Sequence, residues 1–180
     1  MVDIPLQSYD PARTLRYPGP MSSDSGKVLP PATERTPPKR FHEFQQMGDV
    51  AAAIPVLRFL GIRSVVPSAE DVTVTLEMDR TEGVLNLADN PHGAAIAALV
   101  DHAGGLAVSM TLGHGGPTTD LHVRYLRPAD GSPIRADARV LHAGRRLAVV
   151  EVRVYGESGK LSAIGTVTLA PTAEGPPTQD

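Results

Sequence analysis

The segment from His92 to Leu112 contains no proline and is rich in alanine, the best helix former, so it reads as one long helix. It is apolar on nearly every side. A surface helix has a single apolar stripe, whereas this one must be buried around most of its circumference. One such helix needs a sheet that curls around it. Asp101, about two turns in, is the exception, because a carboxylate there is costly unless it is paired or hydrogen-bonded. Ala94, Ala97, Ala98, Gly104, Gly105 and Val108 fall near the same helical face at spacings of three, four and seven. A face of small side chains lets a ligand or a partner's backbone approach closely. The alternative is a structural Asp101 that pairs with an arginine or caps a neighbouring backbone.

The rest of the chain supplies the sheet. Val72, Val74, Leu76 and Met78 alternate with Thr73, Thr75, Glu77 and Asp79, the period-two pattern of a strand with one wet face. A strand over 61–66 pairs with it across Pro67–Glu70. After the helix, four strands are predicted over 118–126, 134–142, 147–155 and 161–169. The connections between them carry turn residues at Pro128–Gly131, Ala143–Arg145 and Gly156–Gly159. Four consecutive strands with short turns make an antiparallel meander. A first helix is predicted over 41–53, where Phe41, Phe44, Met47 and Ala51 recur at helical spacing, and Pro55 ends it. The class is α+β: a long buried helix wrapped by about six antiparallel strands.

Residues 1–40 hold 8 of the 17 prolines and read as an extended arm. The domain spans 41–171, and 172–180 form a tail. There is no cysteine, which removes thiolate catalysis, disulfides and cysteine zinc sites and suits a reducing cytoplasm. The net charge of −3, without a basic run interleaved with aromatics, gives no reason to expect nucleic acid. The opening Met-Val-Asp-Ile-Pro lacks signal-peptide features, and the run Ala94–Val100 is too short to span a bilayer. A cytoplasmic location without membrane attachment is therefore expected.

Chemistry is expected at the helix start. Asn90-Pro91-His92-Gly93 places a possible cap and a first-turn proline there. The first amides of a helix lack internal partners and sit at the positive end of its dipole, so a free Gly93 amide could hold a developing oxyanion. Gly93 and Asp101 are eight residues apart, about 12 Å along the axis. An extended acyl or thioester group could bridge much of that gap. Gly113-His-Gly-Gly-Pro117 follows a helix rather than opening one, so it reads as a helix stop and turn, not a phosphate loop. The histidines show no metal-ligand spacing, and no metal is expected. His102 points about 100° away from Asp101, against a Ser-His-Asp relay.

The stretch Asn86-Leu-Ala-Asp-Asn-Pro-His92-Gly93 with Asp101 eight residues later resembles the signature of the PaaI-like thioesterases. Thr118–Pro128, Gly144–Val152 and Gly159–Ala163 are similar to that family's strand sequences, in the same order. The resemblance implies a hot-dog fold and hydrolysis of an acyl-CoA thioester, with coenzyme A part of the substrate and no separate cofactor. It implies Asp101 as general base or nucleophile, the Gly93 amide as oxyanion donor, and Asn86 polarising the carbonyl or positioning water. Thr118, or Thr119 after a one-residue slip, orients the same water, and His92 shapes the turn at the substrate site. Ala94 replaces the family's second glycine, and its methyl would narrow the pocket. The resemblance also implies a homodimer with shared sites, often paired into a tetramer. Coenzyme A lies between subunits, its phosphates met by candidates among Arg124, Arg127, Arg145, Arg146 and Lys160. Two other readings stand beside this one. One is a hot-dog module that binds acyl-CoA without turnover. The other is an enoyl-CoA hydratase using Asp89 and His92, although its Asp-to-His spacing differs and Asp101 would have no role.

Overall fold

The computed structural model describes residues 54–67 and 69–172. The predicted arm over 1–40, the helix over 41–53 and the frayed end from Glu174 lie outside the described residues. Pro55, the expected end of the helix over 41–53, is itself among the described residues. It occupies the first turn of a short one, α1 (Pro55–Phe59), where its missing N–H costs nothing and its fixed φ suits the helix.

The remaining elements fall where hydropathy placed them. They are β1 (Ile62–Val65), β2 (Val74–Met78), a 3-10 turn (Glu82–Val84), α2 (Gly93–Leu112), β3 (Thr118–Tyr125), β4 (Ile134–Ala143), β5 (Ala148–Tyr155) and β6 (Leu161–Leu169). The strands form one antiparallel sheet in the order β1-β2-β4-β5-β6-β3. α2 lies against β2 to β6. This is the hot-dog arrangement of a core helix held in a curved sheet.

The expectation of a four-strand meander is corrected. Only β4, β5 and β6 form one, and β3 lies at the far edge beside β6. Residues 126–133 cross the β5–β6 turn to reach β4. Asp130 fastens them there, its carbonyl accepting the Glu157 N–H at 2.9 Å. The Asp130 carboxylate is held below its ordinary value chiefly by hydrogen bonding with Ser158. Strand adjacency is not written in side-chain periodicity, so a turn-rich connection of this length reads equally as a hairpin or a crossover.

By length and composition α2 resembles a membrane span, yet nine of its residues are buried in the protein, among them Leu99, Val100, Ala107 and Val108. The helix meets β6 at very short range. A Cβ on Gly104 would lie 2.7 Å from Cβ of Val167, and one on Gly165 would run into Val100. The predicted small-residue face therefore divides. Gly104 and Val108 turn into the sheet, while Ala94, Ala97, Ala98, Asp101 and Gly105 stay at least partly exposed.

α2 is closed at both ends. At its start the His92 Nδ1 accepts the Ala94 N–H at 3.0 Å, which puts the ring proton on Nε2. At its end Gly113 adopts φ 76° and donates its N–H to the Ser109 carbonyl, a left-handed stop that glycine makes without strain. The following glycines run beside the C-terminal end of the sheet, where Ala170 N–H donates to Pro117 O at 3.0 Å. The glycine-rich segment is thus a stop and turn, as read from the sequence.

Two substitutions test this account. Gly104→Ala forces a methyl against a stiff, buried Val167 and is expected to lower stability by about 1–3 kcal/mol, measured by urea denaturation. His92→Ala removes the cap and is expected to cost about 1 kcal/mol, read as a lower denaturation midpoint with an unchanged m-value.

Candidate functional site

The predicted site residues gather in two places. The first is the N-terminal end of α2. The loop before it is closed by a bridge between Leu85 and Pro91 and by the Asn86 N–H donating to Asn90 O at 2.8 Å. Inside the loop the Asn86 Oδ1 accepts the Ala88 N–H at 2.9 Å and the Asn90 N–H at 3.2 Å. Asp89 takes a left-handed conformation, φ 56°, which asparagine and aspartate tolerate better than most residues. The Arg80 guanidinium donates to its carbonyl. With Oδ1 committed to the backbone, the Asn86 side chain presents its Nδ2 hydrogens outward. The end of Asn86 available to a ligand is therefore a donor.

Gly93 follows. Because the His92 imidazole takes the Ala94 N–H and the His92 carbonyl accepts from Ala95 and Ile96, the Gly93 N–H is left without an acceptor among the described residues. Gly93 lines a cavity of about 350 Å³ together with Asn86, Asn90, Ile96, Tyr125 and Arg127. The cavity thus places a free backbone amide, a carboxamide donor and a guanidinium around one space. Ala94 is exposed and is not part of this lining. Asp89 also lies outside the lining. The His92 Nδ1 is already engaged by the Ala94 N–H.

The second place is further along α2. Asp101, half-buried, accepts a hydrogen bond from the Thr118 Oγ1 at 2.8 Å. This decides between the two threonines. A bulge separates Thr118, opposite Leu169, from Asp120, opposite Thr168. The extra residue, Thr119, sends its hydroxyl to the Thr168 carbonyl at 3.2 Å. Bulges re-aim side chains in this way. No pattern of alternation marks one in advance.

Within one chain the two groups remain apart. Asp101 and Thr118 do not line the cavity, and β3 runs from one group to the other, ending at Tyr125. The arginines divide in the same manner. Arg127 lines the cavity, while Arg145 and Arg146 are exposed in the β4–β5 turn at the Thr118 end of the sheet. The ends of β3 lie about 23 Å apart by strand rise.

One residue that the sequence did not single out stands at the cavity. Tyr125 donates its hydroxyl to the Gly93 carbonyl at 2.8 Å, and its ring lies 3.5 Å from where a Gly93 Cβ would be. The available signal was its position after Leu121 and Val123 on the helix-facing side of β3. An aromatic with a polar tip there seeks a partner for its hydroxyl.

Comparison with known proteins gives this geometry its family. The model of the thioesterase superfamily matches residues 90–163, which include both groups apart from Asn86. A Halobacterium salinarum protein named for a suspected esterase activity is 37% identical over 131 residues, covering 69% of this chain and 77% of the relative. The crystal structure of zebra fish thioesterase superfamily member 2 is 30% identical with a TM-score of 0.59, over 68% of this chain and 91% of that one. A Bacillus halodurans protein solved with CoA is 31% identical with a TM-score of 0.53, over 54% of this chain and 66% of that one. The chain belongs to the thioesterase superfamily.

Proposed function

We propose that this protein hydrolyses an acyl-CoA thioester to the free acid and coenzyme A, with Asp101 as general base. The observation that carries this reading is the Thr118–Asp101 hydrogen bond of 2.8 Å. It fixes the rotation of the carboxylate by occupying Oδ1 and leaves Oδ2 to take a proton from water. The hydroxyl, having donated its proton, keeps lone pairs for the same water. Water then attacks the thioester carbonyl carbon, and the tetrahedral oxyanion is met by the Gly93 N–H and the Asn86 Nδ2. The C–S bond breaks, and the thiolate of coenzyme A leaves with the proton that Asp101 had taken. Water is activated by a carboxylate, and coenzyme A enters as part of the substrate, so this scheme needs no cofactor. The absence of cysteine suits work in a reducing cytoplasm.

This chemistry requires the two groups to meet, and a second copy of the chain supplies the means. Among the described residues β3 is an outer strand of the sheet with one edge unpaired. Leu121 and Tyr125, on its helix-facing side, are 39% and 54% exposed. Such an edge is a template for pairing. The run Asp120-Leu121-His122-Val123-Arg124 is complementary to itself about His122 when antiparallel. Asp120 then opposes the partner's Arg124, Leu121 opposes the partner's Val123, and, with Thr119 bulged out, Thr118 opposes the partner's Tyr125, which lines the cavity. Parallel pairing in register would oppose like charges. The antiparallel two-fold thus brings the Asp101–Thr118 group of each subunit to the cavity of the other. It also brings Arg145 and Arg146 toward the partner's Arg127, a basic rim for the phosphates of coenzyme A.

Asp101→Asn is expected to lower kcat by about a hundred- to ten-thousand-fold, with the fold intact. The measurement is thiol release from short, medium, long and aromatic acyl-CoAs. Coenzyme A binding with no turnover by the wild type would identify a binding module instead. Asp120→Arg places like charges on both sides of the two-fold and is expected to weaken the dimer. Adding Arg124→Asp should restore it, as read by sedimentation equilibrium. An unchanged association constant would exclude β3 as the interface.

A further inference from the structure

From the contacts of the 93–94 peptide we infer that Tyr125 is a positioning residue for the oxyanion-binding amide, acting with His92 as a clamp on the first turn of α2. This rests on the reading of Gly93 as oxyanion donor. The peptide joining Gly93 to Ala94 is held at both ends by side chains. Its carbonyl accepts the Tyr125 hydroxyl at 2.8 Å, and its N–H donates to the His92 Nδ1 at 3.0 Å. The two clamps come from different elements, the Tyr125 end of β3 and the residue capping α2. Between them they fix the plane of the first helical peptide and the Cα of Gly93, while the His92 carbonyl, accepting from Ala95 and Ile96, holds the neighbouring peptide that carries the one amide left free.

The first turn of a helix frays most easily, because its amides lack intrahelical partners. A donor for a developing oxyanion is useful only if it already points to where the charge will form. Glycine at 93 aggravates the problem, since it has no side chain to restrict its backbone. The Tyr125 ring supplies that restriction from outside, lying 3.5 Å from the position of the missing Cβ. Nothing in the acyl-transfer chemistry requires a phenol, and the hydroxyl is spent on the backbone. Its effect on the reaction is therefore indirect.

The test is Tyr125→Phe in the full-length protein, which keeps the ring over Gly93 and removes only the hydroxyl. Two quantities are read: amide hydrogen exchange at Ala94, and kcat and KM for the best acyl-CoA. Exchange at Ala94 is expected to rise by about tenfold. kcat is expected to fall by about tenfold, the factor associated with one hydrogen bond, with KM changed less than twofold. Tyr155→Phe serves as control, since the Tyr155 ring lies under the Arg135 guanidinium on the opposite face of the sheet, and neither quantity should move. Unchanged exchange in Tyr125→Phe overturns the clamp whatever happens to turnover. Faster exchange with unchanged kcat overturns its part in the reaction. If the wild type hydrolyses no acyl-CoA, or if Asp101→Asn retains full turnover, the thioesterase reading fails instead, and the exchange measurement still decides whether Tyr125 holds the peptide.

Discussion

The structure depends on how closely an apolar helix can approach a sheet. At the crossing of α2 with β6, Gly104 faces Val167 and Gly165 faces Val100, with no room for a methyl on either glycine. Each surface supplies one glycine and one valine, so the contact is a reciprocal interlock. It sets the depth at which the helix sits, and interiors at native density resist any shift in it. With that depth fixed, the outer side of α2 rises out of the sheet's concavity. Ala94, Ala97, Ala98 and Asp101 are presented along it rather than drowned in the core.

The same crossing places the two halves of the site. α2 passes from the Asn86 loop at one end to Thr118 at the other, and β3 runs back between them. The chain therefore places Asn86 and Gly93 at one end and Asp101 at the other, with β3 linking them. In the proposed dimer, catalysis and assembly would share one geometric origin, because the element that separates the two groups would also be the surface that reunites them.

Much of this was legible in the sequence, and what was not has definite causes. Strand boundaries followed from alternation, as at Val72–Asp79, and the core helix from the uninterrupted apolar run after His92. Asp101 stood out because a carboxylate in such a run must have a partner. Thr118 was read as the hydroxyl residue, with Thr119 as the alternative one residue on; the bulge that sets them apart could not be read, since it leaves no mark on hydropathy. The position of β3 was missed for a related reason: its residues alternate like those of a paired strand, and only the tertiary crossover at 126–133 sends it to the edge. The short helix that opens at Pro55 was not read, because a proline marks the start of a helix as readily as its end. Tyr125 was marked only as an aromatic on the helix-facing side of β3; that its hydroxyl meets a backbone carbonyl 32 residues away could not be read.

The bulge at Thr119 has an implication for how this segment can change over evolutionary time. Side chains alternate between faces with every residue of a strand, so deleting one residue exchanges the faces of everything on one side of the gap. Thr119 is the exception: as the residue left over in the ladder, its loss would leave Thr118 opposite Leu169 beside Asp120 opposite Thr168, in regular alternation and on their present faces. The same loss between Asp120 and Tyr125, where the ladder is regular, would exchange the faces of everything beyond it. A change of one residue in length is thus absorbed at the bulge and costly further along the strand.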